Sequence, residues 1–125
     1  MSIVVVRSGE DIELDPSDER VICFDWDRVN LATGTQINTS TFTITVIKQI
    51  GGTALTKDNE SRLTAAQATT ALGRTVSTDN RATQLRVLAT TATEGDKYEL
   101  ANKVVLNDTP AQTKEQSVRI VIRNR

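Results

Sequence analysis

At 125 residues the chain has the length of one domain and can bury a core without metal or disulfide staples. Its 15 basic and 16 acidic residues leave a formal charge of −1, which argues against a nucleic-acid binder that neutralises many phosphates. The single cysteine, Cys23, cannot form an internal disulfide, so assembly in a reducing cytoplasm is expected rather than oxidative folding outside the cell.

The near-neutral charge hides an asymmetry. Between Ser8 and Asp27 there are eight acids against one base, Arg20, whereas from Ser61 onward ten bases face six acids. Nineteen threonines tilt the composition towards sheet, because a β-branched side chain suits the solvent face of a strand.

In chain order, Ile3–Val6 is a short β-branched run ended by Ser8-Gly9. Four apolar residues are far too few for a membrane span or a signal-peptide core. Asp15-Pro16-Ser17-Asp18 reads as a turn. Val21 to Trp26 reads as a strand with Ile22, Phe24 and Trp26 on one face and Val21, Cys23 and Asp25 on the other. In Thr41–Val46 three apolar residues alternate with three threonines, the period-2 pattern of a half-buried strand, and Gly51-Gly52 closes it.

Thr64-Ala65-Ala66-Gln67 matches a capping box, helix formers run to Leu72, and Gly73 can stop a helix. Two readings of residues 65–72 stand side by side, a short helix and an irregular alanine–threonine loop, since so short a helix is marginal without packing. Gln84–Ala89 reads as the next strand. Tyr98, Leu100, Asn102, Val104 and Leu106 recur at spacing two, Asn107–Pro110 turns the chain, and a last strand places Val118, Ile120 and Ile122 inward. These two long segments read as an antiparallel hairpin. The inward faces are expected to carry Ile22, Phe24, Phe42, Ile44, Val46, Leu85, Val87, Leu100, Val104, Ile120 and Ile122. About seven short strands with turns between them predict an all-β fold, an antiparallel sandwich.

Little in the sequence supports catalysis. There is no histidine, the commonest general base and metal ligand. No serine sits in a nucleophile motif, and no glycine-rich loop could cradle phosphate. Cys23 lies in an apolar strand and reads as a buried structural thiol. Asp11-x-Glu13-x-Asp15 resembles the start of a calcium loop, but Pro16 and Ile22 stand where the EF-hand needs glycine and glutamate. A solvated or partner-facing acidic edge is the preferred reading over a looser calcium site. Asp25 and Asp27 beside Trp26 could suggest a glycosidase pair, yet four aromatics are too few to build a sugar cleft. No catalytic residue, cofactor or metal is therefore expected. Phe24, Trp26, Phe42 and Tyr98 are expected as core anchors. Gly95-x-x-Tyr98 is similar to the tyrosine corner of sandwich domains, whose hydroxyl bonds back to nearby backbone.

Phe24-Asp25-Trp26, then Leu31, Gly34, Ile37 and Ser40-Thr41-Phe42, together with Gly95-Asp96-Lys97-Tyr98-Glu99-Leu100-Ala101-Asn102 and the closing Ser117-Val118-Arg119-Ile120-Val121-Ile122, resemble a family of small bacteriophage virion proteins described as fibre–tail adaptors or immunoglobulin-like structural proteins. The resemblance covers roughly residues 20–125. It departs where the family usually has two glycines before the tyrosine motif and this chain has Thr91-Ala92, and in a longer stretch from Ile50 to Arg81.

The strand and acidic arm over 1–19 are read from the residues and are not part of the family's pattern; what the resemblance implies is an immunoglobulin-like β-sandwich over 20–125. It also implies a non-enzymatic virion part, assembled in the host cytoplasm, that decorates the capsid or joins neck, tail and fibre components. Its partners would be other virion proteins and copies of itself, with no nucleic acid, membrane or small-molecule substrate. The alternative is a carbohydrate- or ligand-binding sandwich of a surface protein. From the residues themselves, the arm is expected to face the partner. Ile3, Val4, Val5 and Val6 are apolar on both faces, and Glu10, Asp11, Glu13 and Asp15 would steer onto a basic surface such as Arg119, Arg123 and Arg125 of a neighbouring copy. An ordinary first strand with a solvated acidic loop is the competing reading.

Overall fold

The computed structural model describes residues 3–27, 31–51, 55–90 and 92–123. Arg125, Gly52 and Thr91, named above, lie outside them. Eight strands and one helix follow in the order β1 (Ile3–Val6), β2 (Asp11–Leu14), β3 (Glu19–Asp25), β4 (Ile37–Lys48), β5 (Thr56–Arg62), α1 (Ala65–Leu72), β6 (Ala82–Leu88), β7 (Lys97–Leu106) and β8 (Thr113–Ile122). They form two four-stranded sheets, β1-β3-β6-β5 and β2-β8-β7-β4. The first order is the A-B-E-D sheet of an immunoglobulin-like sandwich, and β8-β7-β4 is its G-F-C sheet, extended by β2.

The body of the sandwich is antiparallel, but β1 pairs with β3 and β2 with β8 in parallel. The cause is local. Gly9 takes a left-handed φ of 89° and Arg7 N–H donates to the Glu10 carboxylate at 2.8 Å, closing a turn that reverses the chain and sends its two halves to different sheets. Residues 3–14 thus form two edge strands, with Val6, Ile12 and Leu14 inside the main core.

Alternation sets most of the core. Ile22, Phe24, Phe42, Leu85, Val87, Leu100, Val104, Ile120 and Ile122 are buried as expected, and Phe24 and Phe42 meet with ring centroids 5.9 Å apart. Ile44 is half-buried against that core. Val46 departs from expectation: it ends the inward row where the β4–β7 ladder shifts register, and stays 45% exposed.

Residues 65–72 are helical. Thr64 caps the helix, with Gln67 N–H donating to its hydroxyl at 3.2 Å and Thr64 N–H donating to the Gln67 side chain at 3.0 Å. Gly73 ends it in the left-handed region. The helix has a task that alternation does not reveal. Ala68 lies in a second cluster with Cys23, Leu63, Val76 and Ala82, covering the outer face of the first sheet. Cys23 and Asp25 are therefore buried although they sit on the face away from the main core.

Candidate interaction surface

β1 and β2 border the same side of the sandwich, one in each sheet, and a cleft of about 400 Å³ opens between them. Val4, Val6 and Ile12 line its apolar part, while Glu10, Asp11, Glu13 and Asp15 border it with Arg20. On β2 the strand period buries Ile12 and Leu14 and turns Asp11 and Glu13 the other way. On β1 the same period buries Val6 and leaves Ile3 42% and Val5 38% exposed. The four apolar residues of β1 are thus covered on one face only.

The turn between the two strands is tied to β8. Ser8 N–H donates to the Gln116 side chain at 3.0 Å, Gly9 N–H to Ser117 O at 2.9 Å, and Arg119 N–H to Glu10 O at 3.0 Å. Asp11 stands opposite Arg119 in the parallel ladder, and Arg123 reaches the Glu13 carboxylate at 3.3 Å. The acids and arginines expected to meet between copies therefore meet first within one chain. Both groups of the Glu13–Arg123 pair are partly exposed, so this contact is weak and salt-sensitive.

Asp25 and Asp27 are neutralised rather than poised for acid–base work. Arg74 donates to Asp25 at 2.9 and 3.1 Å and Arg7 donates at 3.2 Å, while Asp27 accepts from Arg74 at 3.3 Å and from Arg81 at 2.7 Å. Burial pushes the Asp25 carboxyl up, but the Arg74 and Arg7 hydrogen bonds outweigh it and hold it below the usual carboxylate range. Arg81 is itself buried and also donates to Ala32 O, Thr35 O and Asp27 O, pinning the segment after β3. The sequence reading missed this network, since Arg74 and Arg81 lie 47–54 residues from their acids and Arg7 lies 18 from Asp25. The legible signal was the excess of acid around Trp26, which a buried strand end must compensate.

Two polar pairs brace the interior. Trp26 N–H donates to the Asn102 side-chain oxygen at 2.8 Å, and Asn102 donates in turn to the Ser40 hydroxyl at 2.8 Å. Tyr98 is fully buried, but its hydroxyl donates to the Asp96 carboxylate at 3.1 Å and not to the backbone that a tyrosine corner would use. Asp96 also accepts from Ile50 N–H at 2.7 Å and Thr93 N–H at 3.0 Å. Burial raises the Asp96 carboxyl, these donors more than offset it, and the net shift is downward. Burial first, then the Asp96 contact, pushes the Tyr98 hydroxyl up to about 12. Burial, with Asp25 nearby, pushes the Cys23 thiol up to about 12.

All four aromatic side chains, Phe24, Trp26, Phe42 and Tyr98, are buried. No group of three or more metal-ligating side chains occurs among the described residues. None of their helices is long and apolar enough to cross a membrane.

No protein-family model matches the sequence, and no curated protein matches it. Among solved structures the chain is similar to the cysteine protease inhibitor EhICP2 of Entamoeba histolytica, at 10% identity over 98% of this chain and 94% of that one, with a TM-score of 0.48.

Proposed function

We propose that the protein is a non-enzymatic structural part of a bacteriophage virion, decorating the capsid or joining neck, tail and fibre components through protein–protein contacts. The sequence resemblance over residues 20–125 supports the virion setting. One observation carries the mode of action: Ile3 and Val5, apolar residues of an edge strand paired only with β3, are left partly exposed on the sheet's outer face. An apolar outer face on an edge strand is a surface that another chain can cover, although β1 is too short to offer much of an edge for strand addition. The acids along the adjoining cleft make a basic partner surface the complementary one.

The burial of all four aromatics weighs against the carbohydrate-binding alternative, since stacking on a sugar needs an exposed ring. The ion pairs that occupy Asp25 and Asp27 weigh against glycoside hydrolysis.

The double variant Ile3→Lys, Val5→Lys tests the reading, because both positions are accessible and the fold should survive. Its melting temperature should stay near that of the wild type while its incorporation into particles falls. Wild-type incorporation of the folded variant would remove the arm from the contact, and absence of the wild-type protein from purified particles would overturn the assignment itself.

A further inference from the structure

Each sheet ends in two edge strands, and three of the four edges carry features that discourage pairing with a stranger. β1 is four residues long, and β2 is equally short and carries Asp11 and Glu13. β5 holds Lys57, Asp58, Glu60 and Arg62 and breaks register between Asp58 and Ser61. β4 lacks these features along its middle, and its ladder shifts register only at the two ends, between Ile37 and Thr39 and between Val46 and Lys48. It runs for 12 residues, and from Ile37 to Ile47 it has no charge and no proline. It is the last strand of its sheet, paired only with β7 among the described residues. Val46 and Ile47, 45% and 50% exposed, lie on it.

We propose that β4 is a homodimerisation edge, at which a second copy of this chain adds its own β4 antiparallel and joins two four-stranded sheets into one of eight. The start of the strand is already occupied, because Arg62 donates to Ile37 O at 3.1 Å and Asn38 O at 2.7 Å. Its end is irregular between Val46 and Lys48. Between these ends the strand runs from Thr39 to Val46, with Glu60, Ser61 and Arg62 of β5 bordering it at Ser40 and Phe42, and the proposed two-fold axis lies at Thr43.

About that axis Phe42 faces Ile44 of the copy on the inner side, and Thr41 faces Thr45 on the outer side, pairs that suit a sheet. A second copy fits better than a foreign strand because the edge is neutral and matches itself, so no like charges oppose within the span. The chain's net charge of −1 adds little repulsion at a distance. The inference stands on this edge alone and does not depend on the virion reading.

Sedimentation velocity of the full chain from micromolar to millimolar concentration should show monomer passing to dimer. Thr43→Lys sets two lysines against each other at the axis and should hold the chain monomeric throughout. Residues directly opposed in an antiparallel pair lie about 4.5–5.5 Å apart at Cα, within disulfide range. Oxidised Thr43→Cys should therefore give a covalent dimer in high yield, while Thr56→Cys, exposed on the β5 edge, should not. A wild-type chain that stays monomeric, a dimer untouched by Thr43→Lys, or equal crosslinking of the two cysteine variants would each overturn the proposal. Pairing with a foreign strand would leave the Thr43 disulfide unformed and counts against it too.

Discussion

Trp26, just past the end of β3, donates its indole N–H to Asn102 on β7 across 2.8 Å, and both side chains are buried between the sheets. Thr83 of β6 donates to the same Asn102 oxygen, so one amide ties the first sheet to the second. Asn102→Leu removes that acceptor and leaves two buried donors without a partner. Each such loss costs about 1–3 kcal/mol, so the variant should lose about 2–6 kcal/mol in urea unfolding. A loss under about 0.5 kcal/mol, the size of an ordinary surface change, would show that the pair is not a brace.

Stability should fall on the acid side through Asp25 and Asp96. Both have folded-state carboxyls held below the usual range, so the stabilisation they confer is complete above their unfolded pKa, about 3.9. It is lost as pH drops below about 4 and through the lower folded value. Thermal melts should be level from about pH 5 to 8 and fall steeply below about 4. Arg74→Met, which removes the main donor to Asp25, should lower the neutral plateau and shallow the acid limb. An acid limb of unchanged depth would contradict the assignment.

The alkaline side has the opposite cause. Cys23 and Tyr98 are held neutral in the fold up to about 12. Their unfolded groups ionise near 8.5 and 10, so stability is complete below those values and falls as pH rises towards 12. The native thiol should accordingly resist iodoacetamide at pH 8 and react once the chain is unfolded. Rapid labelling of the native protein would mean that the cover formed by α1 opens readily.

Thr64→Ala removes the hydroxyl that accepts from Gln67 N–H and should cost about 1 kcal/mol. Because α1 shields Cys23, the same variant should speed thiol labelling more than its global destabilisation explains. Equal labelling at matched stability would separate the helix from the thiol's protection.

The sequence and the fold part company at identifiable residues. The rows from Ile22 to Phe24 and from Tyr98 to Leu106 were legible because a half-buried strand writes its period into the chain, as did the cap at Thr64 and Gln67. β5 was illegible: Thr56–Arg62 is polar throughout and is held by pairing with β6, with Arg86 clasping Asp58 at 2.6 and 2.8 Å. The second burial layer was only partly legible: the apolar strand marks Cys23 as buried, whereas Ala82 carries no such sign until α1 is placed over it. At the candidate surface, composition marked Ile3–Val6 as apolar on both faces, but only pairing to β3 tells which side remains open. The intrachain Glu13–Arg123 contact, 110 residues apart, depends on the parallel β2–β8 register.

The central claim is that this sandwich is a fixed part of a particle. Quantitative mass spectrometry of density-banded virus particles, induced from cells that carry the gene, tests it most directly. The protein should remain through high-salt washing at a constant copy number relative to the major capsid protein, and the Ile3→Lys, Val5→Lys variant should fall well below that number. A protein found in the infected-cell lysate but absent from washed particles would contradict the account.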